Sequence, residues 1–479
     1  MSAGEADFGL EISRGVLAKF AMAAIGFAGS IVFARVLGPS GYGAFYIVVT
    51  LVNVLDNPVT GWGSACKKRI SETGFPIAEA LGSGLLGAVI LPLGMLPAVY
   101  LIVIFTDLYA LSGLFVPFSV LFSAVCFFAV TNRILSARSN FAAAEWSDTL
   151  RSFFTTPLQL VFILLGFEAA GMVYGLTIAT ALSIPYVLYR IHIRPVLPTR
   201  ESLASITSYA RYSIPNGFIS TTQSRFDILL LGALLTSSAV GEYQVSMQLT
   251  LAGTFIGAVA SKGLMARVSD YWSRNEHDAV INDVTNSLGY ASVLAIPIFF
   301  GVAAMPNDLL VTVFGSQYAG GGLVLVGLAL FRVVKMQSSQ LQSTMAGLNR
   351  PDITMRIGLV VLILNVGLGY ALLLEYGVFG VVVATILSEV IRYATLSYTI
   401  KQHLPAVTLF AKPLRQQLLA GVTMFILIDW LHMTNGVSWW GELLVLIGLG
   451  GITYFATLIV ISKSFRLTVK GVVSDALAG

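Results

Sequence analysis

Arg332 and Lys335 stand three residues apart in an otherwise apolar stretch, so on a helix both cations share one face. Ser339 and Gln342 continue that face. Like charges placed side by side repel unless an anion joins them. A phosphate or diphosphate is such an anion, which arginine grips bidentately and lysine meets as a point charge. The plainer alternative pairs each cation with a carboxylate on a neighbouring helix, Glu389 or Asp227. Arg225 and Asp227 are two apart and point to nearly opposite sides of a helix, so they do not simply neutralise each other. Asn216, Ser220 and Ser224 lie near the Asp227 face, and Thr221 and Thr222 near the Arg225 face. A helix polar on two sides fits the wall of an aqueous cavity; an inter-helix ion pair for one of the two charges is the competing reading.

Asn53, Asp56, Asn57 and Thr60 recur at spacings of three and four, and Pro58 frees a backbone carbonyl beside them. Carboxylate, amide and carbonyl oxygens together suit Na⁺ or a transferable proton. The alternative is a kinked helix in which Asp56 pairs with Lys19 or another cation. Glu389 is a further acid in an apolar stretch, with Arg392 three residues on as an in-helix partner. Arg14 snorkels to an interface or joins Lys19 as a basic entrance. The expected anion-binding set is therefore Arg14, Lys19, Arg225, Arg332 and Lys335. The expected ion-coupling set is Asn53, Asp56, Asp227 and Glu389, with H⁺ or Na⁺ as the coupling ion.

The elements that hold these charges follow from composition. Of 479 residues, 56% are hydrophobic and 11% charged, where a soluble globular chain has roughly 45–50% and about 25%. Mean hydropathy is +0.83. A soluble protein is excluded. Repeated apolar runs of about 20 residues mean helices rather than a barrel, whose strands alternate weakly. The windows are 12–36, 42–66, 78–105, 111–133, 150–167, 171–190, 209–235, 240–263, 285–312, 319–347, 353–374, 377–400, 413–432 and 439–462. Fourteen transmembrane helices with short loops are expected, in an all-α polytopic protein of the plasma membrane. Residues 1–13 carry no basic n-region and no small-residue cleavage site, so the first apolar segment is expected to be retained. Within the bilayer each central charge costs about 2.5–3.5 kcal/mol, which makes the residues above functional candidates by default.

Lysine and arginine orient the helices. All but Arg35, Arg225, Arg332 and Lys335 of the 28 basic residues fall at alternate segment ends. The positive-inside rule then puts both termini in the cytoplasm. The net charge of +4 is small and dispersed, so no nucleic-acid partner is expected.

The chain also repeats itself. An offset of 198 residues (235 minus 37) aligns 37–72 with 235–270 without a gap. Leu37/Leu235, Ser40/Ser238, Gly43/Gly241, Leu51/Leu249, Arg69/Arg267 and Ser71/Ser269 are identical. An even number of crossings per repeat gives the copies the same orientation, hence parallel repeats about an axis along the membrane normal. The expected organisation is a six-helix lobe over 1–200, a second over 201–402, and an additional helix pair with a cytoplasmic tail over 403–479. The matched Arg69/Glu72 and Arg267/Asp270 are expected to form local ion pairs at the cytoplasmic ends.

Several stretches carry a family resemblance: FARVLGPSGYGAFYIVVTLVNVLDNPV (33–59), KKRISE (67–72), SRFDILLLGALLTSSAVGEYQVSMQL (224–249), RVSDYW (267–272) and AGLNRPD (346–352). The chain resembles, over essentially its whole length, the polysaccharide-transporter branch of the multidrug/oligosaccharidyl-lipid/polysaccharide exporter superfamily. KKRISE is similar to archaeal members. The resemblance implies a flippase for saccharides linked to polyprenyl or dolichyl phosphate or diphosphate. By alternating access it would serve surface polysaccharide or glycoprotein glycan assembly, with membrane lipids around it and glycosyltransferase or polymerase partners.

Absent motifs narrow the field. There is no G-x-x-x-x-G-K-[ST] phosphate loop, no H-E-x-x-H and no C-x-x-C pair, so neither an ATPase nor a metal centre is expected. Cys66 and Cys126 suggest neither a disulfide framework nor a zinc site. A cation-coupled multidrug antiporter is the alternative function; it would favour an acidic cavity, whereas here the central cations outnumber the acids. A membrane polymerase or ligase would carry a long outer loop, and the loops here are short. No enzyme activity is expected.

Overall fold

The computed structural model describes residues 3–72, 74–105, 113–137 and 141–467. All regular structure among them is helical, with no strand. Contacts divide the chain into two compact units, Met1–Gly241 and Glu242–Gly479.

The first unit contains α1 (Ala3–Leu55), α2 (Asn57–Ile70), α3 (Ile77–Phe105), α4 (Phe115–Ala137), α5 (Phe141–Leu164), α6 (Glu168–Ile191) and α7 (Arg200–Leu234). α8 (Ser237–Thr250) begins there and runs on into the second unit. α1 is two helical segments. Gly38 breaks it at φ 66°, a left-handed backbone that costs glycine little, and Pro39 pre-sets φ for the second segment. Asp56 separates α1 from α2, which Pro58 opens at its first turn. α5 packs on α6, α4 on α2, α3 and α6, and α7 on α2 and α1. Thus the helix that the repeat assigns to a second lobe, α7, is packed within the first compact unit.

Close approach of α7 to α2 depends on Gly61, where a Cβ would come within 2.8 Å of the Ile214 Cα. Ser213 Oγ donates to the Gly61 carbonyl at 2.8 Å in the same crossing. Near the chain's turn into α8, Gly43 and Gly241 allow α1 and α8 to meet backbone to backbone.

The second unit continues with a 3₁₀ turn (Leu251–Thr254), α9 (Phe255–Ser273), α10 (His277–Tyr290), α11 (Ala295–Ala304), α12 (Pro306–Phe314), α13 (Gly322–Gly347), α14 (Pro351–His403), α15 (Lys412–Asn435) and α16 (Trp440–Ile461). α14 has 53 residues. At about 1.5 Å per residue that is more than twice the ~30 Å hydrocarbon core, so one straight crossing cannot contain it. Gly377, at φ 58°, breaks it in two. A core of Leu264, Val268, Val284, Leu341, Met345, Leu396 and Ile400 ties α9, α10, α13 and α14 together. α15 and α16 pair with each other, and α15 packs on α11.

Ten helices among the described residues are long and apolar enough to cross a membrane; Ile77–Leu101 and Trp440–Ile461 reach mean hydropathies of 2.0 and 2.3. Their outer faces are apolar as well: Leu93 is 65% exposed, Ile363 70% and Val460 73%. Soluble proteins avoid such continuous apolar surface, and lipid covers it here. The molecule is a multi-pass membrane protein.

Candidate functional site

In the second unit, α13 and α14 pack side by side and bring two cations, Lys335 and Arg392, to one carboxylate, Glu389. Lys335 Nζ lies 3.7 Å from Glu389 Oε2, and Arg392 Nε lies 3.3 Å from the same oxygen. Both contacts exceed the 2.7–2.9 Å of a well-formed charge-assisted hydrogen bond. Arg392 Nε is not aligned to donate, and Glu389 Oε1 is buried without a hydrogen-bond partner. The Glu389 side chain is 5% exposed, that of Arg392 12% and that of Lys335 30%. Arg332, one turn before Lys335, has no carboxylate partner among the described residues. Its Nε points to Thr250 Oγ1 at 3.4 Å and an Nη to Met247 Sδ at 3.5 Å, both weak acceptors at long range. The Phe331 ring lies under its guanidinium at 5.8 Å.

The sequence placed Ser339 and Gln342 on the same face. Ser339 Oγ is spent on the Lys335 carbonyl at 2.8 Å, and Gln342 Nε2 is buried with no partner. The neighbouring Gln337 and Gln340 are structural: they donate to the Leu288 carbonyl (3.2 Å), Ser292 Oγ (2.9 Å) and the Gly257 carbonyl (2.9 Å), fastening α13 to α9 and α10.

In the first unit the side chains of Asn53, Asp56, Asn57 and Thr60 take different partners, Thr60 Oγ1 donating to the Asn57 carbonyl at 3.3 Å. Asn57 is buried and donates to the carbonyls of Asn53 and Val54 at 3.0 and 2.9 Å, while its Oδ1 accepts from Thr221 Oγ1 at 3.1 Å. It therefore occupies carbonyls that a coupling ion would otherwise find open. Asn53 lines a cavity of about 920 Å³ together with Leu121, Arg151, Phe153, Thr155 and Thr156. Asp56 feels the charge of Arg133. Arg133 Nε donates to Ser64 Oγ at 3.1 Å. Asp148 accepts from Asn132 Nδ2 at 3.1 Å and pairs with Arg151 at 3.2 Å, and the Arg151 guanidinium sits 4.9 Å from the Phe128 ring centroid. Arg133, Asp148 and Arg151 were not singled out as site residues from sequence, because they fall near window ends. Their signal was three charges and Asn132 between positions 132 and 151, on either side of the α4–α5 connection.

Arg225 and Asp227 are both half-buried on α7 in this unit. No ion pair to Arg225 forms among the described residues, and Asp227 has a partner. Arg14 and Lys19 fall in the opening turns of α1, where side chains lie outside the described ones.

One matched pair of ion pairs differs from expectation. Arg69 does bond Glu72, at 2.8 Å, and also donates to the Ser205 carbonyl (3.1 and 3.0 Å) and Ser208 Oγ (2.8 Å) on α7. That bond holds the Glu72 carboxyl below its usual range. Arg267 instead reaches Asp283 on α10 at 2.8 Å, and Asp270 pairs with Arg274 at 2.8 Å. Glu72 lies past the end of α2 and can fold back, whereas α9 runs unbroken to Ser273 and holds Asp270 one turn further on.

The described residues contain no cluster of three or more His, Cys, Asp or Glu able to hold a metal, and Cys66 and Cys126 are free and buried.

Residues 32–321, more than half of the chain, match the family model described as polysaccharide biosynthesis protein. The chain is 26% identical over 378 residues to the probable low-salt glycan biosynthesis flippase Agl15 of Haloferax volcanii, covering 76% of this chain and 78% of that protein. It is 25% identical over 469 residues to the probable flippase AglR of the same organism, covering 94% and 96%. Among solved structures, the lipid II flippase MurJ in an inward closed conformation superposes with a TM-score of 0.79 at 15% identity, covering 94% of this chain and 99% of that one. An inward-facing multidrug resistance MATE family transporter of the MOP superfamily gives 0.61 at 17%, covering 80% and 95%. These two likenesses show the fold.

Proposed function

The chain belongs to the polysaccharide biosynthesis protein family, and from that premise we propose that it is a flippase, a transporter rather than an enzyme. It moves lipid-linked saccharides from the inner to the outer leaflet of the plasma membrane by alternating access. Its relatives in Haloferax volcanii are named a probable low-salt glycan biosynthesis flippase and a probable flippase. The carrier is a polyprenyl or dolichyl phosphate or diphosphate, and glycosyltransferases or a polymerase work on either side of the step.

The observation that carries the reading is the surplus of cations in the second unit: Lys335 and Arg392 share a single carboxylate, Glu389, and Arg332, one turn before Lys335, has no carboxylate partner among the described residues. A drug-cation antiporter would need the opposite balance. Arg332 and Lys335 receive the carrier's phosphate, the one part of the substrate that is both anionic and common to every sugar. Arg225, Arg14 and Lys19 are proposed as further anion contacts along the path. Asp56, with Asn53, and the acids Asp227 and Glu389 are the candidates for H⁺ or Na⁺ coupling.

Topology fits the same reading. If Gly38 and Gly377 are turns between crossings, and the second half of α1 with α2, α8–α9 and α10–α11 are interrupted single crossings, the chain crosses fourteen times with both ends inside. α12, at nine residues, is too short to cross. The parallel repeat (1–200 and 201–402, with 403–479 added) is supported by Gly43 and Gly241, matched positions that each meet the backbone of the other's helix.

The test is genetic and chemical. Cells without this protein are expected to build up lipid-linked saccharide on the inner leaflet while surface glycan falls, and the wild-type gene is expected to reverse both. Unchanged surface glycan with no build-up would overturn the proposal.

A further inference from the structure

Glu389 is buried between two cations that it binds unequally, and that inequality has a use. Lys335 is the more exposed partner and the more distant, at 3.7 Å; Arg392 is 12% exposed, three residues away on the same helix, and nearer at 3.3 Å. A buried carboxylate left without any cation is strongly disfavoured. Arg392 can keep Glu389 company from its own helix, whatever α13 does. Lys335 has no such obligation, and its flexible four-carbon stem lets the ammonium move. One carboxylate oxygen, Oε1, has no hydrogen-bond partner, so Glu389 is under-satisfied as it stands and can take a fuller share of Arg392. Arg392 Nε is likewise without a hydrogen bond.

We propose that Lys335 exchanges partners during transport, leaving Glu389 for the substrate's phosphate, and that Arg392 is the positioning residue that holds Glu389 while it does so. Arg332, whose hydrogen-bond partners among the described residues are the weak acceptors Thr250 and Met247, makes the first contact with the anion. Lys335 then closes on it. When the phosphate leaves, Glu389 draws Lys335 back and the site resets. Glu389 is therefore a resident competitor of the ligand, and Arg392 governs how strongly it competes. The inference rests on the phosphate-binding reading of Arg332 and Lys335 and adds the residues that tune it.

The consequence is a pair of effects with opposite signs from two residues on one helical turn. Removing the competitor by Glu389→Gln frees Lys335 and tightens phosphate binding. Removing its second partner by Arg392→Gln leaves Glu389 wholly to Lys335 and weakens it. Each change is expected to be about tenfold, the weight of one charge-assisted hydrogen bond. A purely structural pair would move both variants in the same direction.

The full chain in lipid nanodiscs is titrated with farnesyl phosphate, an isoprenoid carrying one phosphate, and with farnesol, which lacks it. The wild type is expected to prefer farnesyl phosphate. Glu389→Gln is expected to bind it about tenfold more tightly and Arg392→Gln about tenfold more weakly, with farnesol unchanged in both. Should Glu389→Gln not fold, Glu389→Asp, which retracts the carboxylate by one methylene, is expected to tighten binding by a smaller factor. Shifts of the same sign, or none, in folded variants would overturn the partner exchange while leaving the phosphate site standing. A wild type that binds both probes equally would overturn the phosphate site itself.

Discussion

Gly43 on α1 and Gly241 on α8 lie against each other with no room for a side chain on either. A Cβ on Gly43 would collide with the Ser237 carbonyl oxygen and the Gly241 nitrogen, and one on Gly241 with the Pro39 carbonyl oxygen. The obstacles are backbone, which cannot rotate away. The contact is reciprocal under the 198-residue offset, since Pro39 corresponds to Ser237 as Gly43 does to Gly241.

Gly43→Ala and Gly241→Ala are therefore expected to destabilise the protein by about 1–3 kcal/mol each, the usual cost of overpacking. Gly448→Ala, with open space around it, is expected to be neutral. Thermal unfolding of the purified protein in detergent checks this. Equal melting temperatures for all three variants would count against the close crossing.

The double variant Arg332→Ala/Lys335→Ala is expected to abolish export while the protein still inserts and folds. Glu389 keeps Arg392 as its cation, so the loss of Lys335 does not leave a bare buried charge. Complementation of a deletion strain is the measurement. Full complementation would remove these two cations from the transport path.

Transport is expected to slow when H⁺ and Na⁺ gradients and the membrane potential are collapsed together. Moving one charge through the potential is worth about 2.3 kcal/mol per 100 mV, enough to bias a two-state transporter. Asp56→Asn is expected to lower the uncollapsed rate and to make it insensitive to the collapse. Wild-type vesicles with the same rate and extent in both conditions would show equilibration without ion coupling.

The Arg69–Glu72 bond predicts a small pH effect of definite sign. Glu72 is held below its unfolded value in the native protein, chiefly by the hydrogen bond from Arg69. Its contribution is thus fully present above the unfolded carboxylate value and lost as pH falls through the folded one. Arg69 keeps the Ser205 carbonyl and Ser208 hydroxyl when Glu72 is protonated. Glu72→Gln is expected to remove a small part of the melting-temperature drop on acidification, and Arg69→Ala to lower the melting temperature at neutral pH more than Glu72→Gln does. The reverse order would show that Glu72, not the α2–α7 link, is the main anchor.

The helices were largely legible because hydropathy and length decide them. The window 319–347 is α13, Gly322–Gly347, and 439–462 is α16, Trp440–Ile461. Breaks inside crossings were not. The window 240–263 is α8, a 3₁₀ turn and part of α9, since apolarity is the same on both sides of such a break. At the site, Arg332, Lys335 and Glu389 stood out as charges in apolar surroundings. Arg133 and Arg151 did not, because position within a window hides which helix-end charges turn inward. Arg267 choosing Asp283 over Asp270 depends on how α10 returns beside α9, which local spacing does not encode.

The most direct measurement is leaflet exchange in proteoliposomes. The purified protein is reconstituted with a lipid-linked saccharide, and a membrane-impermeant enzyme that cleaves the exposed saccharide reports what fraction becomes accessible with time. The account predicts that accessibility rises past the outer-leaflet share in vesicles with wild-type protein and stays at that share with Arg332→Ala/Lys335→Ala. A wild-type trace no different from that of protein-free vesicles, under an imposed ion gradient and potential, would contradict it.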